Sequence, residues 1–248
     1  MNAGPGSEAG YGAAPPAYSP DPVTELKLEC PYKILFGPLY LPAVLGRWMG
    51  HPNIRCFNFA QGVRVTEFHH PLQLEAESYY DIASASFNDI LAALPPGWEP
   101  DLVVWYNLAL MGIPPGIEDC PYPTLGVVHD WPLNFHPTLD YVGAFDYIVA
   151  ERGFLACLER IGYRRCGFWP CYSHDPTQHY LIPGLERPHD VVFLGNMDYH
   201  YHRARNPWLE RLARLGDRYR VLLTDRYYRD DFTRLLNQSK ISFNFAVR

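Results

Sequence analysis

Asp101-Leu-Val-Val-Trp-Tyr-Asn107 and Thr124-Leu-Gly-Val-Val-His129 are short apolar runs, each closed by a side chain able to hydrogen-bond a ligand. Inside each run the apolar character is continuous rather than alternating. A strand with one wet face alternates with period two, so these runs predict strands covered on both faces, as in a parallel sheet. Four more runs read the same way: Lys33-Ile-Leu-Phe-Gly37, Ile54-Arg-Cys-Phe-Asn-Phe-Ala60, Asp146-Tyr-Ile-Val-Ala150 and Arg165-Cys-Gly-Phe-Trp169. Helical spacing between them predicts a helix over Tyr80–Leu94, with Ile82, Phe87, Ile90, Leu91 and Leu94 on one side. A second is predicted over Gly153–Ile161, stopped by Gly162. Strands alternating with helices make the chain α/β.

Outward from this centre the composition changes. Residues 1–26 are rich in Gly, Ala and Pro with almost nothing aliphatic to bury, and are expected to be a disordered tail. Residues 27–170 form the first domain. Residues 171–189, rich in Pro, His and Tyr, read as an interdomain linker, and a second unit occupies 190–248. That unit opens with the strand Val191–Leu194 and continues through Asn206-Pro207 as N-cap and first-turn proline. Trp208, Leu209, Leu212 and Leu215 then follow on one stripe, with Gly216 as the stop. A strand over Arg220–Thr224, a helix from Tyr227 to Gln238 and a strand over Ile241–Phe245 complete a βαβαβ unit. It is about half of a doubly wound domain, and the chain is expected to be cut short or divergent there.

The 248 residues, 48% apolar and 19% charged, suffice for a packed core. No run approaches the roughly 20 apolar residues of a membrane-spanning helix, and the first residues lack the order of a signal peptide, so a cytoplasmic protein without a transmembrane segment is expected. Cys30, Cys56, Cys120, Cys157, Cys166 and Cys171 contain no CxxC pair and are expected to be reduced. The net charge of -6 hides an asymmetry. Residues 1–198 carry 10 Lys+Arg against 22 Asp+Glu, and residues 199–248 carry 11 against 5, ten of the 11 being arginine. The arginine fork suits phosphate oxygens, which points to a nucleotide diphosphate; an amphipathic helix with a solvated arginine face accounts for the same residues.

Ligands of open parallel sheets bind beyond the carboxyl ends of strands, so the residues that close each run matter most. Gly37 closes the first and Asn107 another. His129-Asp130 sets a histidine beside a carboxylate, able to bond a sugar hydroxyl or to exchange a proton near neutral pH, or simply to hydrogen-bond the backbone. Gly195-Asn196 fits either a close backbone approach to a ligand or a tight turn, and Arg203 and Arg205 stand before a helix whose amide groups suit an anion. His69-His70 and His200-Tyr201-His202 lack zinc-like partners, and no metal is expected. GxGxxG, GxxxxGK[ST] and GxSxG are absent from the chain.

In order and spacing these pieces resemble the GT-B fold glycosyltransferases of group 1, and in particular their spore-maturation-protein-like branch. The pieces are Thr124-Leu-Gly-Val-Val-His-Asp-Trp-Pro132, Asp146-Tyr-Ile-Val-Ala150, Phe168-Trp-Pro-Cys-Tyr-Ser-His-Asp-Pro176, Asp190-Val-Val-Phe-Leu-Gly-Asn196 and Leu235-Leu-Asn-Gln-Ser-Lys-Ile-Ser-Phe-Asn244. The resemblance implies two Rossmann-like domains, the second incomplete. It implies transfer of a sugar from a nucleotide-sugar donor to an unknown acceptor, with no metal, no other cofactor and no nucleic-acid partner. His129 and Asp130 would be catalytic. Gly195, Asn196, Arg203, Arg205 and Thr224 would border the donor diphosphate, and Gly37 and Asn107 would lie on the acceptor side. The family's donor-binding carboxylate falls beyond the last strand of this chain, which leaves a non-catalytic nucleotide- or sugar-binding protein as the alternative.

Overall fold

The computed structural model describes residues 29–38, 51–61, 78–81, 86–170, 179–198, 203–225, 227 and 229–245. The expected tail over 1–26, residues 171–178 of the expected linker, and both histidine runs lie outside them. Among the described residues seven parallel strands form one sheet: β1 (Ile34–Gly37), β2 (Ile54–Gln61), β3 (Ser78–Asp81), β4 (Leu102–Tyr106), β5 (Thr124–Val128), β6 (Tyr147–Ala150) and β7 (Cys166–Phe168). Their order is β3-β2-β1-β4-β5-β6-β7. That order is compatible with a Rossmann-like domain, and it puts the reversal of winding between β1 and β4.

Among the described residues four α-helices belong to this unit: α1 (Phe87–Ala92), α2 (Leu108–Met111), α3 (Phe135–Val142) and α4 (Arg152–Arg160). Each buries part of its apolar stripe on the same sheet face. Phe87, Ile90, Leu108, Val142, Phe154 and Leu158 join Leu35, Phe57, Val103, Trp105, Val128 and Ile148 in one cluster. Trp105 is at its centre, with ring centroids 5.3 Å from Phe57 and 6.3 Å from Phe87, and its indole N–H donates to the Gly112 carbonyl at 2.8 Å. The opposite face carries a second cluster of Val104, Tyr106 and Val127, flanked by partly buried Phe36, Leu125, Val149 and Trp169.

Register is fastened at the amino ends of the strands. Asp101, just before β4, accepts from the Lys33 amide at 2.8 Å, which ties β4 to β1. Asp146, just before β6, accepts from both the amide and the hydroxyl of Thr124 at 2.9 and 3.1 Å, which ties β6 to β5. In each case a carboxylate satisfies an amide that the first rung of a parallel ladder would leave unpaired.

A smaller sheet holds β8 (His189–Leu194), β9 (Val221–Thr224) and β10 (Ser239–Phe243) in the parallel order β10-β8-β9. Helices α5 (Asn206–Arg214) and α6 (Arg229–Asn237) connect them in the expected βαβαβ sequence. The third strand crosses back to lie beside the first, so the unit starts as flavodoxin-like sheets do and does not repeat the order of the large sheet. Phe193, Leu209 and Leu212 form its core. Asp190 repeats the amino-end device, accepting from the Arg220 amide at 2.8 Å and from Lys240 Nζ at 2.6 Å.

Three local expectations are corrected. The helix expected over Tyr80–Leu94 is instead the end of β3 followed by α1. Ser86 and Asp89 make a reciprocal capping box at that point, and the box starts the helix at Phe87. The N-cap of α5 is Arg205 rather than Asn206, which belongs to the first turn with Pro207. Gly216 does not stop the chain's winding, because a short 3-10 turn continues from Leu215 to Asp217.

Candidate functional site

The carboxyl edge of the large sheet gathers four of the predicted residues. Gly37 ends β1 and pairs in register with Trp105 of β4. Asn107 follows β4, and His129 and Asp130 follow β5, whose Val127 is abreast of Tyr106. Gly37 and Asn107 flank the reversal of winding, where ligands of open α/β sheets bind.

Asn107 and Asp130 are, among the described residues, the non-glycine residues with positive φ, at 62° and 53°. A side chain in this left-handed region is strained by about 1–3 kcal/mol, and such strain concentrates at ligand sites. Both residues turn the chain sharply off the end of a strand, one into α2 and the other into the 3-10 turn Trp131–Leu133. Asn107 is fully buried. It occupies the N-cap of α2 yet makes no capping bond, and neither Oδ1 nor Nδ2 has a hydrogen-bond partner. Leaving a buried polar group unsatisfied costs about 1–3 kcal/mol. The strain and the unmet bonds fall on one side chain.

His129 is buried, and Asp130 Oδ2 lies 3.2 Å from its Nδ1. With the carboxylate as acceptor, Nδ1 carries the proton and the lone pair is on Nε2, the arrangement a general base needs. The His129 ring is 5.0 Å from Tyr106, which also neighbours Phe36 at 5.6 Å and Trp169 at 6.3 Å. This aromatic ledge was not singled out from the sequence. Its signal was the placement of Phe36, Tyr106 and Trp169 at or next to the last position of their apolar runs. Gly37 has a packing explanation: a Cβ there would come within 2.7 Å of the Phe57 ring.

No family model matches the chain, and no curated protein or solved structure matches it either. The site therefore rests on its own chemistry.

The five residues expected around a diphosphate all lie in the small sheet's unit. Gly195, directly after β8, keeps an ordinary φ, and a Cβ added there would sit 3.2 Å from the Phe193 ring. Asn196 Oδ1 accepts from the Asp198 amide at 2.7 Å, a local turn. Thr224 ends β9, its carbonyl accepting from the Gly195 amide at 3.1 Å and its hydroxyl donating to the Asp225 carbonyl at 3.4 Å. Arg205 donates to the Asn196 carbonyl at 2.6 Å and twice to the Phe245 carbonyl at 3.0 and 3.2 Å, joining the chain after β8 to the chain after β10. Partial burial lowers its pKa from the usual arginine value. Three of its five N–H groups are thus engaged within the fold. Arg203 is exposed.

A cavity of about 440 Å³ lies elsewhere, between the 179–187 segment and α6 with β10, lined in part by Tyr180, Arg187, Asn237 and Lys240. Its polar groups hold the fold together. Asn237 accepts from the Ile182 amide and donates to the Tyr180 and Thr233 carbonyls, and Lys240 pairs with Asp190. We place the candidate site at the carboxyl edge, where the unmet hydrogen bonds are. Among the described residues no group of three metal-ligating side chains occurs, and no helix is long and apolar enough to cross a membrane.

Proposed function

We propose that the chain is a sugar-transfer protein, with its acceptor on the carboxyl edge of the seven-stranded sheet and a nucleotide-sugar donor served by the arginine-rich unit. One observation carries the reading. The strained non-glycine residues Asn107 and Asp130 end neighbouring strands beside the winding reversal, and Asp130 orients the buried His129. His129 acts as general base on an acceptor hydroxyl, and Asp130 holds its tautomer. Partly exposed Trp169, backed by the buried Tyr106, offers a surface for the apolar face of a sugar ring. Donor diphosphate stabilisation falls to Arg203 and to the two unspent N–H groups of Arg205.

The test is transfer from a panel of nucleotide-sugars to simple carbohydrate acceptors. His129→Ala is expected to lower turnover by about 10²–10⁴-fold while the fold is retained. Full activity in that variant overturns the reading. A second reading, binding without transfer, is favoured by the engagement of Asn196, Thr224 and most of Arg205 in the fold's own hydrogen bonds. Thermal shifts with nucleoside diphosphates in a protein with no transfer activity would select it.

A further inference from the structure

We infer that Asn107 is a ligand-reading residue whose carboxamide recognises an uncharged group presenting a hydrogen-bond donor beside an acceptor. The inference rests on the carboxyl edge being the ligand-binding edge, and not on any transfer step.

The side chain has no access to solvent and no partner for either polar atom. A buried carboxamide that served the fold would be bonded within it, as Asn134 is, its Nδ2 donating to the Ala109 carbonyl at 2.9 Å. The backbone at Asn107, φ 62° and ψ 61°, is one that glycine adopts without strain. Asparagine is among the non-glycine residues that tolerate this conformation best, so the backbone accounts for its presence here, but not for a buried carboxamide with neither polar atom bonded.

Its chemistry defines the complement. A C=O acceptor and an NH₂ donor lie side by side in one plane, so the matching group offers a donor next to an acceptor. Two adjacent hydroxyls of a sugar ring do this, and so does the amide or amidine edge of a nucleobase. Charge narrows the choice to neutral groups. The described residues closing β1, β4 and β5 are Gly37-Pro38, Asn107-Leu108 and His129-Asp130-Trp131, with Asp130 among them and no lysine or arginine. Among the described residues closing these strands, a phosphate or carboxylate buried at this point would find no lysine or arginine partner.

The experiment uses the full chain and two variants, without nucleotide-sugar. Asn107→Gly removes the amide and suits the backbone, so its melting temperature is expected to equal the parent's or exceed it by about 2–4 °C. Asn107→Asp keeps the shape but loses the N–H donors. Calorimetric titration of the parent with mono- and disaccharides forms one arm, and with free nucleosides the other; binding in one arm identifies the source of the recognised group. Both variants are expected to lose at least tenfold in affinity for it. Undiminished binding by Asn107→Gly overturns the inference, as does a melting temperature about 5 °C or more below the parent's, which would make the amide a structural element. A parent that binds neither class also overturns it. Binding that depends on Asn107 in a protein without transfer activity leaves this inference standing and removes the transfer reading.

Discussion

The strands at the middle of the large sheet are almost entirely withdrawn from water, and those of the small sheet are not. Every residue of β4 after Leu102 is buried, whereas no residue of β9 is, and the middle three residues of β10 are exposed, Ile241 at 59%. Both sheets are parallel and both have helices packed on them. What differs is strand number and the size of the side chains beneath the helices. Among the described residues the large sheet buries Trp105, Phe57, Phe87, Phe145 and Phe154 completely, and the small one has Phe193 as its single fully buried aromatic residue. A large core tolerates a strained, hydrogen-bond-starved residue at its edge because the surrounding packing over-determines it. The small sheet has no such reserve, and Arg205 at its edge is bonded within the fold to the chain segments that leave β8 and β10.

The largest effect should come from removing the centre of that reserve. Trp105→Ala is expected to cost about 3–5 kcal/mol, through lost burial and the cavity left behind. Amide hydrogen exchange would show whether β8 keeps its protection in that variant. Retained protection means that the sheets have separate cores, and loss in step with β4 would break the comparison.

A smaller effect tests the amino-end fastening. Asp146→Ala removes the acceptor for two Thr124 donors and is expected to cost about 1 kcal/mol, read as a shifted urea midpoint at unchanged slope. No shift would mean that backbone pairing alone holds β5 and β6 in register.

The smallest effect is in the small sheet and depends on pH. Hydrogen bonds from Lys240 and the Arg220 amide hold the Asp190 carboxyl at about 2, below its usual 3.8. A carboxyl whose folded pKa is depressed stabilises the fold above its unfolded pKa and loses that contribution as pH falls toward the folded value. The parent should therefore lose stability from about pH 4 down to about pH 2 faster than Asp190→Asn does. Parallel curves would remove the role assigned to the pair. The group is solvent-facing, so the difference should also shrink in high salt.

Much of the architecture was legible because its signals are local. Continuous apolar runs located all six expected strands of the large sheet, and Asp101, Asp146 and Asp190, which begin three of the runs, are the amino-end fasteners. β3 was missed because Ser78–Asp81 is a short tract that merges into the helical spacing after it. The decisive signal against a helix from Tyr80 was the Ser86/Asp89 capping box. α3 was hidden by Pro137 in its first turn, and Asn134 sits before it without a side-chain cap. At the site, sequence reasoning brought Gly37, Asn107, His129 and Asp130 to strand ends, and the fold puts those ends on one edge. Asn107 and Asp130 are of the types that tolerate a left-handed backbone best, but that both adopt it and that one carboxamide goes unbonded depends on contacts remote in the chain. Conversely, arginine's affinity for phosphate marked Arg205, and only the structure reveals the carbonyls it already serves.

The two aspartate fasteners of the large sheet, Asp101 and Asp146, sit at the end of its strands opposite the proposed site. A scaffold nailed along one rim leaves the other rim free to change: loops there can be lengthened, shortened or exchanged without any strand slipping against its neighbour. Grafting experiments should therefore cut after β4 and β5 and leave Asp101 and Asp146 untouched.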